Sequence, residues 1–385
     1  MEKNPLTQLR EHGQSFWFDN IQRGMLGSGE LDRMISEDDL RGITSNPSIF
    51  EKAINSGSDY DLALAQLARS QPDADNRACF YELAIADIQQ AADRLRPVYD
   101  SSQGVDGYVS LEVSPDLAYD TQASIDEARQ LFIRINRPNA MIKIPSTKQG
   151  LPVIETLIAD GINVNATLLF SVERYVEVAQ AFIRGLQKRH AKGHRIDNVH
   201  SVASFFISRV DSLLDKKLAE KLIRATAQQA AIIRGLQGQG AILNAKSAYR
   251  RYQELFKQDP TFAELARHGA HPQRLLWAST GTKNPEYSDV LYVESLVGPE
   301  TVNTIPPATY QAFKDHGQVA DTLLQDLEQA DARLAGFAEL GIELPPLMQQ
   351  LEDEGVAAFA KSFDTLLASL GEKRARLQQQ SSSAA

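Results

Sequence analysis

Residues 107–145 read GYVSLEVSPDLAYDTQASIDEARQLFIRINRPNAMIKIP. The stretch opens with an alternating run, 107–113, passes a turn, and continues as a helical pattern, DTQASIDEARQLFIRI, before a second apolar run, AMIKIP at 140–145. Strand, helix and parallel strand form the unit from which crossover sheets are built. Working outward in both directions, the same cadence recurs. The candidate strands are SFWFD at 15–19, GITSN at 42–46, GYVSLEV at 107–113, AMIKIP at 140–145, INVNATLLF at 162–170, HSVASFF at 200–206, RLLWAST at 274–280 and TVNTIPP at 301–307. Helical patterns lie between them, among them SVERYVEVAQAFIRGLQKRH and the long stretch from Ser208 to Arg234. Eight strand–helix units close on themselves without exposed edges, so the expected class is α/β, a (β/α)8 barrel.

The chain has 385 residues, whereas a plain barrel uses about 250. The surplus falls in the helical stretch 51–100, in 211–270 and in a helical tail after Pro307, none of which carries its own strand set. The expectation is therefore one elaborated catalytic domain over 1–376, with additional helices over the barrel. The polar end 377–385, closing on QQQSSSAA, is expected to be disordered. A hydrophobic fraction of 43% fills a sizeable core, and a net charge of -10 argues against a general nucleic-acid or anionic-membrane surface. Cys79 alone supports neither a disulfide framework nor a multi-thiolate zinc site. With no apolar run of about 18 residues and no cleavable leader pattern at the N-terminus, the expected location is the cytoplasm.

Side chains alternate along a strand, so polar residues near the C-terminal ends point into the barrel mouth. Parity groups Trp17 with Asp19, Thr44 with Asn46, Tyr108 with Ser110 and Glu112, and Met141 with Lys143 and Pro145. It also groups Asn163 with Asn165 and Thr167, Val202 with Ser204 and Phe206, and Trp277 with Ser279. Lys143 stands out. Burying an ammonium without a partner is costly, and the neutral amine is the form that attacks a ketone. The competing reading is a structural ion pair with Glu112, and for Asp19 or Glu112 alone, a helix cap. Their joint occurrence with Lys143 favours carbonyl chemistry on a polyol. GLQGQG at 235–240 follows a helical pattern and reads as a helix–helix loop. His190, His194 and His200 lack ligands at a metal spacing and read as solvated loop residues. Trp17 and Trp277 read as barrel lining or core, with Trp17 also able to wall a sugar pocket.

The segments GITSNPSIF, VSLEVSPDLAYD, IKIPST, GINVNATLLFS and VASFFISRVD closely resemble those of transaldolases, and NAKSAY, STGTKNPEYSDVLYVE and TVNTIPP resemble the long bacterial branch of that family. The resemblance implies a (β/α)8 enzyme of the pentose phosphate pathway that transfers a dihydroxyacetone unit between sugar phosphates through a lysine Schiff base, with no metal or organic cofactor. Carried over by position, Lys143 would be the Schiff-base lysine and Asp19 the acid/base at the hydroxyl whose deprotonation starts carbon–carbon cleavage. Glu112 and Thr167 would hold the water of imine formation and hydrolysis. Asn46, Asn165 and Ser204 would bind donor hydroxyls, and Arg209 the phosphate. The arginine that shorter relatives carry after the seventh strand is absent here, leaving Ser279 and Lys283 as candidates. Phe206 would line the substrate site; it and Glu112 favour transfer over a fructose-6-phosphate aldolase, whose members usually carry tyrosine and glutamine there. The retained Asp19, Glu112 and Lys143 speak against a noncatalytic sugar-phosphate sensor. Sugar-phosphate substrates are the implied partners, with no nucleic acid or membrane; oligomeric state is left open.

Overall fold

The computed structural model describes residues 4–383. Eight strands, β1 (Gln14–Phe18), β2 (Gly42–Ile43), β3 (Tyr108–Glu112), β4 (Ala140–Pro145), β5 (Val164–Leu169), β6 (Ser201–Phe206), β7 (Arg274–Ala278) and β8 (Thr301–Ile305), pair in sequence order into a closed barrel. All neighbours are parallel, including β1 with β8. This is the (β/α)8 barrel the cadence implies. The second strand is shorter than expected, because Asn46 leaves it to cap the helix Pro47–Asn55, accepting from the Ile49 N–H.

Register sets which side chains share a level. Glu112 pairs with Lys143 and Lys143 with Asn165, so three adjacent strands carry them in one row. On β1, Phe16 and Phe18 pack outward on Tyr310 of the helix Pro307–His316. Trp17 points inward, its indole N–H donating to Asp106 in a buried cluster with Arg274, Arg41 and Ser15. The parity expected of β7 is wrong by one residue. Leu276 pairs with Ser204 and Trp277 with Phe205, and the Trp277 ring packs on Phe205 with its N–H on Leu296 O, outside the barrel. Ser279 still reaches the mouth because its φ of 56° lies in the left-handed region and breaks the alternation.

The stretch from Ser208 to Arg234 is two helices, Ser208–Leu222 and Ala227–Leu236, divided where Thr226 starts the second with a capping box to Gln229. The C-terminal helix, Leu344–Ser383, covers most of the segment expected to be disordered, and Ala384 and Ala385 lie outside the described residues. It persists because it is anchored: Lys373 Nζ donates to Ile54 O and Gly57 O and pairs with Asp61, Arg374 bonds Gln71 O, Pro72 O and Ala74 O, and Leu377 packs on the core. No helix among the described residues is long and apolar enough to cross a membrane.

Gly42 on β2 is required by close approach. A Cβ there would lie 2.5 Å from the Trp17 indole. Gly42→Ala should therefore destabilise the fold by about 1–3 kcal/mol through overpacking, a shift that chemical denaturation measures directly; an unchanged midpoint would contradict the packing described.

Candidate active site

The chemistry-bearing side chains converge at the C-terminal end of the barrel. Asp19, Asn46, Lys143, Thr167, Ser204, Phe206, Arg209 and Ser279 line one cavity of about 120 Å3, together with Thr44, Ser48, Thr304 and Phe359. Glu112 and Asn165 sit just behind this lining, both buried. A larger cavity, about 310 Å3, opens at the opposite end around His200, His271 and Arg274. It holds no lysine beside carboxylates. His200 is buried there between Tyr108 and His271, not solvated as its loop suggested, and burial pushes its imidazole down to about 3.

Lys143 comes from β4, where its inward position places the amine among polar groups of three other strands. Its Nζ donates to Ser45 O at 3.0 Å and stands 3.8 Å from Glu112 Oε2. The second distance is beyond hydrogen-bond length, so this is not a tight structural ion pair. Neither Glu112 oxygen makes a hydrogen bond among the described residues, nor does Thr167 Oγ1. Burial raises the Glu112 carboxyl to about 7 against the opposing pull of Lys143. Such a group exchanges protons near neutrality. Thr167 lies within a register shift between β5 and β6 that runs from Ala166 to Leu169, where Leu168 adopts a φ of 59°. A bulge at a barrel rim commonly aims a side chain into the mouth.

Asp19 follows β1. Burial raises its carboxyl from the ordinary aspartate value, while Lys143, a hydrogen bond from Thr44 and Arg209 oppose the rise. Thr44 Oγ1 donates to Asp19 Oδ1 at 2.6 Å. Beneath them the amides and hydroxyls interlock: Ser204 Oγ donates to Asn165 Oδ1 at 2.7 Å, and Asn165 Nδ2 to Ser110 Oγ at 3.1 Å. Asn46 Oδ1 is committed to its helix cap, so its amide NH2 is the part left for a ligand.

Arg209 opens the helix that follows β6. Its guanidinium lies 5.5 Å from the Phe206 ring and 5.9 Å from Phe359, and it has no ion pair among the described residues. Two aromatic faces hold it without neutralising it. Ser279 and Ser208 hydroxyls are 3.0 Å apart beside the same helix N-terminus. That arrangement suits a phosphate. Lys283 does not join it: the loop after Ser279 turns outward through Thr282 Oγ1 on Ser288 O and a turn at Asn284, leaving Lys283 exposed.

Thr44 shared the inward face of its strand, but its link to Asp19 needed the structure. Nothing in the sequence marked Phe359, which reaches the cavity from the C-terminal helix, a segment placed over the barrel only in general terms. Ser362 of that helix is tied to Ser48 Oγ at 2.8 Å, so the tail is the element that covers the mouth.

Comparison with known proteins fits this geometry. The transaldolase of Thiobacillus denitrificans is 47% identical over 359 residues, covering 93% of this chain and 97% of its own. Transaldolase 2 of Nostoc punctiforme is 46% identical over 97% of this chain and 98% of its own, and the transaldolase of Mycobacterium bovis is 44% identical over 95% and 96%. The family model described as transaldolase/fructose-6-phosphate aldolase matches residues 16–370, a span that runs from β1 through the cavity to the helix carrying Phe359. A match of that extent takes in most of β1, the seven other strands and the part of the covering helix that carries Phe359, and the chain belongs to the transaldolase/fructose-6-phosphate aldolase family.

Proposed function

We propose that this chain is a transaldolase of the pentose phosphate pathway, one elaborated barrel that moves a dihydroxyacetone unit from sedoheptulose 7-phosphate to glyceraldehyde 3-phosphate, yielding erythrose 4-phosphate and fructose 6-phosphate. The observation that carries the reading is a buried lysine amine, Lys143, with the Asp19 carboxyl on the same cavity and Glu112 behind it. The Lys143 amine adds to the ketone, and loss of water gives an imine. Glu112 and Thr167, which take no hydrogen bond within the protein among the described residues, would hold that water. The protonated imine withdraws electrons from the adjacent bond. Asp19 accepts the proton of the hydroxyl beyond it as the carbon–carbon bond breaks, and the aldehyde leaves. The enamine remaining on Lys143 adds to the incoming aldehyde, and hydrolysis frees the new ketose.

Asn46, Asn165 and Ser204 would bind the donor hydroxyls, with Arg209, Ser279 and the helix N-terminus at the phosphate. No step calls for a metal or organic cofactor, because the imine serves as the electron sink. Transfer is favoured over aldol release by Phe206, whose ring supplies no hydroxyl to relay a proton to the enamine. A cytoplasmic location is supported by the single free and buried thiol, Cys79.

Borohydride added with fructose 6-phosphate should inactivate the protein and leave a stable adduct on Lys143. Peptide mapping reads the result, and an adduct on another lysine, or none during turnover, rejects the nucleophile.

Arg209→Ala should lower kcat/KM for phosphorylated sugars by about 1.5–3 kcal/mol relative to unphosphorylated ones. Lys283→Ala, at an exposed position, should change neither. Equal losses on both substrate classes for Arg209→Ala would put the phosphate elsewhere.

Phe206→Tyr should raise the proportion of free dihydroxyacetone released over that transferred, as product chromatography with and without acceptor would measure. An unchanged ratio counts against the partition argument.

A further inference from the structure

Asp19 ends a chain of two hydroxyls that runs along the rim of the barrel mouth between β8 and β2. Thr44 Oγ1, just beyond β2, donates to Asp19 Oδ1 at 2.6 Å, and Thr304 Oγ1 on β8 stands 2.6 Å from Thr44 Oγ1. Each threonine has one hydroxyl hydrogen, and an ionised carboxylate only accepts. With the Thr44 hydrogen committed to Asp19, the hydrogen between the two threonines must come from Thr304. The order is therefore Thr304 to Thr44 to Asp19. A proton on Asp19 Oδ1 would force the chain to reverse, and the Thr304 hydrogen would then have no acceptor among the described residues and would have to turn to the cavity that Thr304 lines. Asp19 Oδ2 takes no hydrogen bond among those residues, and Asp19 lines the cavity.

We propose that Thr304 is a positioning residue for Asp19: through Thr44 it keeps Oδ1 as an acceptor and reserves Oδ2 for the proton that the substrate hydroxyl gives up. The proposal rests on the reading of Asp19 as acid/base. Chains of hydrogen bonds polarise one another, so a hydroxyl that receives a bond donates a stronger one. Thr304 thus acts on the carboxylate without touching it. The charged groups that face Asp19 are Lys143 from β4, Glu112 from β3 and Arg209 from the helix after β6, while the C-terminal helix presents Phe359, which bears no charge. The Thr44 bond is one of the influences that oppose the rise burial imposes on the Asp19 carboxyl.

The test compares Thr304→Val, close in shape but without the hydroxyl, with Thr304→Ser, which retains it. In Thr304→Val the acid limb of kcat belonging to Asp19 should move to higher pH by roughly half a unit to one unit, with KM for fructose 6-phosphate within about twofold. Borohydride trapping on Lys143, which precedes cleavage, should be unchanged. Thr304→Ser should return the limb to its wild-type position. The limb is assigned by its survival in Glu112→Gln. A wild-type limb in Thr304→Val, a serine variant as displaced as the valine one, or loss of trapping along with the shift would each overturn the proposal. Asp19→Asn separates the two levels: if it keeps full cleavage activity, the acid/base reading itself fails, whereas its inactivity beside an unmoved valine limb rejects the role of Thr304 alone.

Discussion

A closed parallel barrel cannot slip one strand against its neighbours without breaking every ladder around the ring, and that constraint is what holds the row Glu112, Lys143, Asn165 together. A shift of one residue would turn the lysine out into the helical layer. Once the row is fixed, the remaining groups are placed by strand ends rather than by flexible loops. Asp19 follows β1 directly, Asn46 is the residue that caps the helix after β2, and Arg209 stands in the first turn of the helix after β6. Each is held at the junction of a barrel strand and the segment that follows it. Placement to a fraction of an ångström, which a reacting constellation demands, is a property of such elements.

The mouth gathers two carboxylates and two cations away from bulk water, an arrangement that by itself opposes folding. Several devices offset it. The Lys143 Nζ has a carbonyl, Ser45 O, within bonding distance. Glu112 is driven by burial toward a protonated form near neutrality, which removes part of the charge. Arg209 is covered by the faces of Phe206 and Phe359 in place of an acid. At the other end of the barrel the solution is different: burial would raise the Asp106 carboxyl, yet Arg274 and Arg41 outweigh it and hold the group below the ordinary aspartate value. One end carries a neutralised network that serves the scaffold. The opposite end leaves its charges incompletely satisfied.

The strands, and most of the site, could be read from alternation because barrel strands are short, buried and bounded by turns. Lys143, Glu112 and Asp19 were legible as charges set in apolar runs. Parity failed at β7, where Trp277 belongs to the outer face, because an indole is apolar enough for either side and its N–H finds Leu296 O outside. Ser279 was grouped with it correctly as a mouth residue but for a wrong reason, since a left-handed φ resets the alternation there. Lys283 looked like a second phosphate cation by position in the chain, yet loop hydrogen bonds turn it outward. Phe359 and the burial of His200 depend on contacts between segments far apart in sequence, and no local pattern carries such contacts.

The anchoring of the C-terminal helix has a consequence for biosynthesis. A ribosome delivers the chain from its N-terminus, and domains commonly begin to fold while still attached. The carbonyls of Ile54, Gly57, Gln71 and Pro72 belong to the early part of the chain, but the Lys373 and Arg374 side chains that bond them emerge only after all eight strands. Phe359, which covers Arg209, emerges shortly before those anchors. A nascent chain with all eight strands made therefore still presents an open mouth and a guanidinium covered by Phe206 alone. This helix closes both the cavity and the earliest helices, so the covering of the mouth waits on a segment that follows every strand in the sequence.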